Sequence, residues 1–123
     1  MSTQPDEKLQ QLTNLLNQYR FSYVSEKELQ DGIARALEKE GIAFKRELRV
    51  SKSDRPDFVV GNIAIEVKIK GSISDLLRQI ARYARHSEIQ SILVIGTPHW
   101  ITRVPSILDG KEISNLRLVG SLL

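Results

Sequence analysis

Apolar positions along the chain change rhythm several times, and each rhythm predicts an element. Leu9, Leu12, Leu15, Leu16 and Tyr19 recur at helical spacing, with Pro5, Asp6 and Glu7 suited to a first turn, so a helix is expected over residues 5–20. A second helix is expected from Ser25 to about Glu40. Ser25 to Glu28 matches a capping box, Leu29, Ile33, Ala36 and Leu37 form the apolar stripe, and Gly41 ends it. Three strands follow, over 43–50, 57–60 and 63–69. Helical spacing returns over 74–86, with Ile73, Leu76, Leu77, Ile80 and Ala84 inward, and the continuous apolar run 91–96 reads as a strand buried on both faces. Pro98, Pro105 and Gly110 break residues 97–114 into loop, and a last strand is expected over 116–119. This order is that of a mixed α/β layer fold.

Composition narrows the chemistry. The 123 residues suit one domain over 1–123, and 41% apolar with 27% charged residues supplies a single core. No apolar run is long enough to cross a bilayer, and residues 1–7 lack the character of a secretion signal, so a cytoplasmic protein without a membrane partner is expected. The absence of cysteine excludes disulfides, thiolate nucleophiles and sulfur-ligated zinc. With two histidines far apart in sequence, a metal would rest on carboxylates, which favours hard cations such as magnesium or manganese. The net charge of +3 is compatible with nucleic acid, and its distribution says more. Basic residues crowd the middle third while acids dominate residues 6–40.

The chemistry concentrates between Arg55 and Lys68. Gly61-Asn62 suits a two-residue hairpin turn between two β-rich runs. Counting outward from that turn pairs Val60 with Ile63, Val59 with Ala64, Phe58 with Ile65 and Asp57 with Glu66. Two carboxylates are thereby expected on one sheet face, with Cβ atoms roughly 5 Å apart, and Lys68 lies one pleat beyond. Ile63, Ile65, Val67 and Ile69 on the reverse face read as core. Like charges placed opposite one another destabilise a hairpin, whereas a dication between them would offset the repulsion and activate water. Lys68 would then orient the attacking water or neutralise the transition state.

Pro56-Asp57 followed by Glu66-Val67-Lys68, after a helix and a preceding strand, resembles the PD-(D/E)XK nuclease superfamily. The resemblance covers residues 25–96 and implies an αβββαβ restriction-endonuclease-like core with a central mixed sheet flanked by helices. The N-terminal helix and the extension 97–123 fall outside it. It further implies magnesium-dependent phosphodiester hydrolysis, manganese substituting, with Asp57, Glu66 and the Val67 carbonyl as metal ligands and Lys68 near the nucleophile. Many members carry one more acid early in the helix before the sheet. Glu26 and Glu28 are the candidates, and Glu26 is preferred because it shares the side of Leu29 and Ile33 while Glu28 has a capping role. Gln79 and Tyr83 look like the Gln-x-x-x-Tyr element of the RecB-like branch, which adds Gln79 to the catalytic set.

Arg55, Lys70, Arg78, Arg82 and Tyr83 are the candidates for contact with nucleic acid, DNA in preference to RNA. Trp100 is expected to cover the core edge rather than stack on a base, and Glu47 to belong to a charged strand face. The expected enzyme is a structure- or end-directed deoxyribonuclease, working alone, as a homo-oligomer or within a larger complex. The alternative is a non-catalytic nucleic-acid-binding or assembly module that keeps the fold.

Overall fold

A computed structural model describes residues 6–119. Pro5, expected in the first helix, and residues 120–123 of the C-terminal extension lie outside them. Helix α1 spans Glu7–Asn17, shorter than the expected 5–20, because Asp6 is its cap: the Asp6 carboxylate accepts from the Leu9 N–H at 3.1 Å. Helix α2, Glu26–Lys39, starts on Ser25, whose hydroxyl accepts from the Glu28 N–H. Only half of the expected capping box forms. The Glu28 carboxylate turns instead to the Ser22 hydroxyl, 2.8 Å away. At the other end Gly41, with φ 72°, lets Ile42 and Gly41 donate back to the Leu37 and Glu38 carbonyls, closing the last turn.

Strand β1 is only Lys45–Arg46, not the expected 43–50. Glu47 takes φ 52°, which ends extended backbone after two paired residues, Lys45 with Val59 and Arg46 with Phe58. Strands β2 (Phe58–Val60) and β3 (Ile63–Lys68) pair antiparallel in the register read from the sequence, Phe58 with Ile65, Val59 with Ala64 and Val60 with Ile63. Gly61 has φ 60° and Asn62 does not have positive φ, which is the requirement of a two-residue turn with glycine first. Helix α3, Ile73–Ala84, capped by Ser72, then crosses over to β4, Ser91–Gly96, which runs parallel to β3.

The segment after β4 is more ordered than the expected loop over 97–114. A 3-10 turn, His99–Arg103, leads to β5 (Ile107–Leu108) and β6 (Lys111–Arg117). Strand β6 lies parallel to β4, so among the described residues the sheet has six strands in the order β1-β2-β3-β4-β6-β5. The expected strand 116–119 overlaps only the end of β6.

The sheet separates two apolar layers. On one side Ile63, Ile65 and Val67 pack with Leu93, Ile95 and Leu116 under α1 and α2. On the other, Ala64, Ile92, Val94 and Ile113 meet α3 and the 3-10 turn, with Trp100 buried among them as expected. Two helical layers around a mixed sheet give an α/β fold. No helix among the described residues is long and apolar enough to cross a membrane.

Candidate active site

The alternation of β3 sends Ile63, Ile65 and Val67 into the α1–α2 layer and therefore turns Ala64, Glu66 and Lys68 toward α3. Phe58 joins the same layer as Ile65, so Asp57, its neighbour, faces the way Glu66 does. The ladder proper ends at Phe58 and Ile65. One step further the Asp57 carboxylate continues the pairing from its side chain, its Oδ2 accepting from the Val67 N–H at 2.7 Å, while Pro56 has no N–H to donate to β3. In a strand the N–H and C=O of one residue point to the same edge, so the Val67 carbonyl lies on the Asp57 side too.

Glu66 is 3% exposed. Its Oε1 accepts from the Tyr83 hydroxyl at 2.9 Å, and Lys68 Nζ stands 3.4 Å from its Oε2. Burial, and then the charge of Asp57, push the Glu66 carboxyl up to about 8, against the pull of Lys68 and Tyr83. Asp57 is also raised, first by burial, while the Val67 N–H and Lys68 hold it down and the charge of Glu26 adds to the rise. Tyr83 is pushed up as well, by burial and by the charge of Glu66. The metal-free site is thus two desolvated carboxyls that resist ionising together.

The other expected residues fall into distinct places. Gln79 sits one turn before Tyr83 on α3, close enough to lower the Tyr83 pKa slightly against its overall rise. Tyr83 itself, expected among the nucleic-acid contacts, is 1% exposed and its hydroxyl is committed to Glu66, which leaves no face for a base or phosphate. Glu26 opens a helix whose Leu29 and Ile33 cover the reverse of the sheet, so its charge reaches Asp57 from the far layer. No three histidine, aspartate or glutamate side chains among the described residues converge to hold a metal ion. Arg55 is exposed and pairs with Glu47 at 3.7 Å, and Lys70 is exposed. Arg78, expected to contact nucleic acid, pairs with Asp75, and Arg82, expected to do the same, is engaged by Asp54, whose Oδ1 accepts from Arg82 Nε at 2.9 Å.

Asp54 was not legible as a site residue. It is 6% exposed and is also bonded to His86 and Ser51. The Ser51-x-x-Asp54 spacing announces a local turn, but nothing in the sequence joins it to positions 28 and 32 residues later.

The donor set fits a hard cation. Two carboxylates on one face supply anionic oxygens, and the Val67 carbonyl borders them. Burial raises the proton affinity of both carboxyls in spite of the Lys68 charge beside them, so a dication would relieve a cost that Lys68 offsets only in part. In comparisons with known proteins, no family model, no curated protein and no solved structure matches this chain.

Proposed function

We propose that the chain is a metal-dependent nuclease of the PD-(D/E)XK type that hydrolyses phosphodiester bonds of DNA, guided by structure or ends rather than by base sequence. The observation that carries this reading is the meeting of Asp57 and Glu66 on one buried sheet face with Lys68 Nζ 3.4 Å from Glu66. A hairpin edge under selection for stability alone has no use for two adjacent desolvated carboxyls. The order α2, β1, β2, β3, α3, β4, with β3 and β4 parallel, supports an αβββαβ core of the restriction-endonuclease kind.

Asp57, Glu66 and the Val67 carbonyl would hold magnesium or manganese, and solvent would complete the shell. Glu26 acts from the far layer through its charge or through a water. When bound, such an ion lowers the pKa of a coordinated water and neutralises charge on the phosphate. Lys68 keeps a cation beside the Glu66 carboxylate, where it orients the attacking water and stabilises the growing negative charge. Tyr83 fixes the Glu66 carboxylate in place, and Gln79 lies one turn away on the same helix. Arg55 and Lys70, both exposed, are the basic residues for backbone phosphate. A cytoplasmic location belongs to the same proposal.

The rival reading, a non-catalytic nucleic-acid-binding module, draws on one observation: the described residues bring only two carboxylate side chains together. Nicking of supercoiled plasmid in magnesium, manganese or chelator decides between them. Metal-dependent nicking that disappears in Glu66→Ala is expected. DNA binding without nicking in either metal would establish the rival.

A further inference from the structure

Among the described residues the buried Asp54 is the most heavily bonded side chain outside the carboxylate pair. His86 Nε2 lies 2.9 Å from its Oδ2, Arg82 Nε 2.9 Å from its Oδ1, and the Ser51 hydroxyl 3.2 Å from Oδ2. Its own backbone closes a tight loop, with the Asp54 carbonyl accepting from Val50 and its N–H bonded to the Ser51 hydroxyl. These contacts hold the carboxyl below the usual aspartate range, the bond to His86 contributing most.

Arg82, in the last turn of α3, and His86, just past the helix end, reach the same carboxylate, while Tyr83, beside Arg82, reaches Glu66. The end of α3 therefore grips both strands that carry the paired acids: β3 through Tyr83, and the approach to β2 through Asp54. Only Arg55 and Pro56 separate Asp54 from Asp57. Pro56 is buried with fixed φ, and a residue before proline is confined to extended backbone, so this connection is short and stiff. The far end of the segment is pinned by the Glu47 N–H donating to the Asp57 carbonyl at 3.0 Å.

We propose that Arg82 and His86, acting through Asp54, are positioning residues that set Asp57 at its working distance from Glu66, so that one helix fixes the spacing of both carboxylates. The inference deepens the metal-site reading above but has an independent reporter. The Val67 N–H is bonded by the Asp57 side chain and so senses where that carboxylate sits without metal or substrate. Arg82 is half exposed, and His86, though largely covered, belongs to neither apolar cluster, so Arg82→Gln and His86→Ala replace no residue of the apolar core.

Amide hydrogen exchange of the full chain in chelator is the test, comparing Val67 with Ile65 in the same strand. In both variants Val67 exchange is expected to accelerate at least tenfold relative to Ile65, and His86→Gln, which restores a donor toward Asp54, is expected to return most of the protection. Manganese titration of the same proteins should show weaker binding in Arg82→Gln and His86→Ala than in the parent. Exchange at Val67 that is unchanged, or that rises only in step with Ile65, overturns the positioning role. A parent that binds no manganese overturns the metal-site reading instead, and the exchange result still decides the positioning role.

Discussion

Burying Glu66 beside Asp57 ties folding to proton uptake. An unfolded glutamate releases its proton near 4.5, whereas the folded Glu66 carboxyl keeps it to about 8. Between those values the folded chain binds more protons than the unfolded one, so stability in chelator should be greatest below about pH 4.5 with respect to this group. It should then fall as pH rises through 8. Asp57 shifts in the same direction, while Asp54, held low, acts at more acid pH and does not reverse the slope. Urea unfolding at a series of pH values from 5 to 8.5 should show declining stability in the parent and a flatter profile in Glu66→Gln; parallel profiles would mean that Glu66 titrates normally. Asp57 gives a second contrast at residue scale. Asparagine keeps an oxygen for the Val67 N–H and removes the charge, so Asp57→Asn in chelator should leave Tm unchanged or raise it by a few degrees. Asp57→Ala strands that N–H and should lose about 1–3 kcal/mol. Equal losses in the two variants would count against charge repulsion as a cost of the site.

At the scale of elements, close approach of backbones fixes Lys68. The register sets Lys68 beside Gly96 at the end of the β3–β4 ladder, and the Thr97 N–H donates to the Lys68 carbonyl at 3.1 Å. A Cβ on residue 96 would stand 2.0 Å from that carbonyl oxygen and 2.4 Å from an Ile101 methyl. Backbone cannot yield as a flexible side chain would, so Gly96→Ala should cost at least the ~1–3 kcal/mol typical of overpacking. Thermal unfolding measures it, and a Tm within a degree of the parent would show that β4 shifts freely against β3. The hairpin that carries Asp57 and Glu66 was legible because a two-residue turn and strict alternation determine register together. The tail was not, for a physical reason. In β6 the buried residues are Ile113 and Leu116, three apart, because they enter opposite core layers while Ser114 bonds Thr13. That spacing hides a strand covered on both faces by otherwise polar positions. The missed signal was Asp109-Gly110, both with positive φ, the preferred pair for a tight hairpin between β5 and β6. The shortened β1 had no comparable warning, since a glutamate in left-handed backbone is set by the Asp57 carbonyl it bonds rather than by its own preference.

For the molecule as a whole, the two carboxylates lie where the β2–β3 hairpin meets α3, so binding a cation there draws on strands and helix together. At neutral pH the metal-free Glu66 carboxyl is protonated, and a cation must displace that proton before both carboxylates can ligate. Manganese affinity is therefore expected to rise by up to about tenfold per pH unit approaching pH 8 and to level off above it. The same ion should raise Tm by an amount that grows with pH, because it binds the folded chain and not the unfolded one; at about a hundredfold excess over Kd the gain is about 2.7 kcal/mol. Calorimetric titration at pH 6.5 in two buffers of different ionisation enthalpy counts the protons released. Close to one proton per ion is expected in the parent and none in Glu66→Gln at manganese concentrations high enough to detect its weaker binding. Release that persists in Glu66→Gln would place the displaced proton on another group, and binding without release in the parent would mean that Glu66 is already ionised or takes no part in holding the metal.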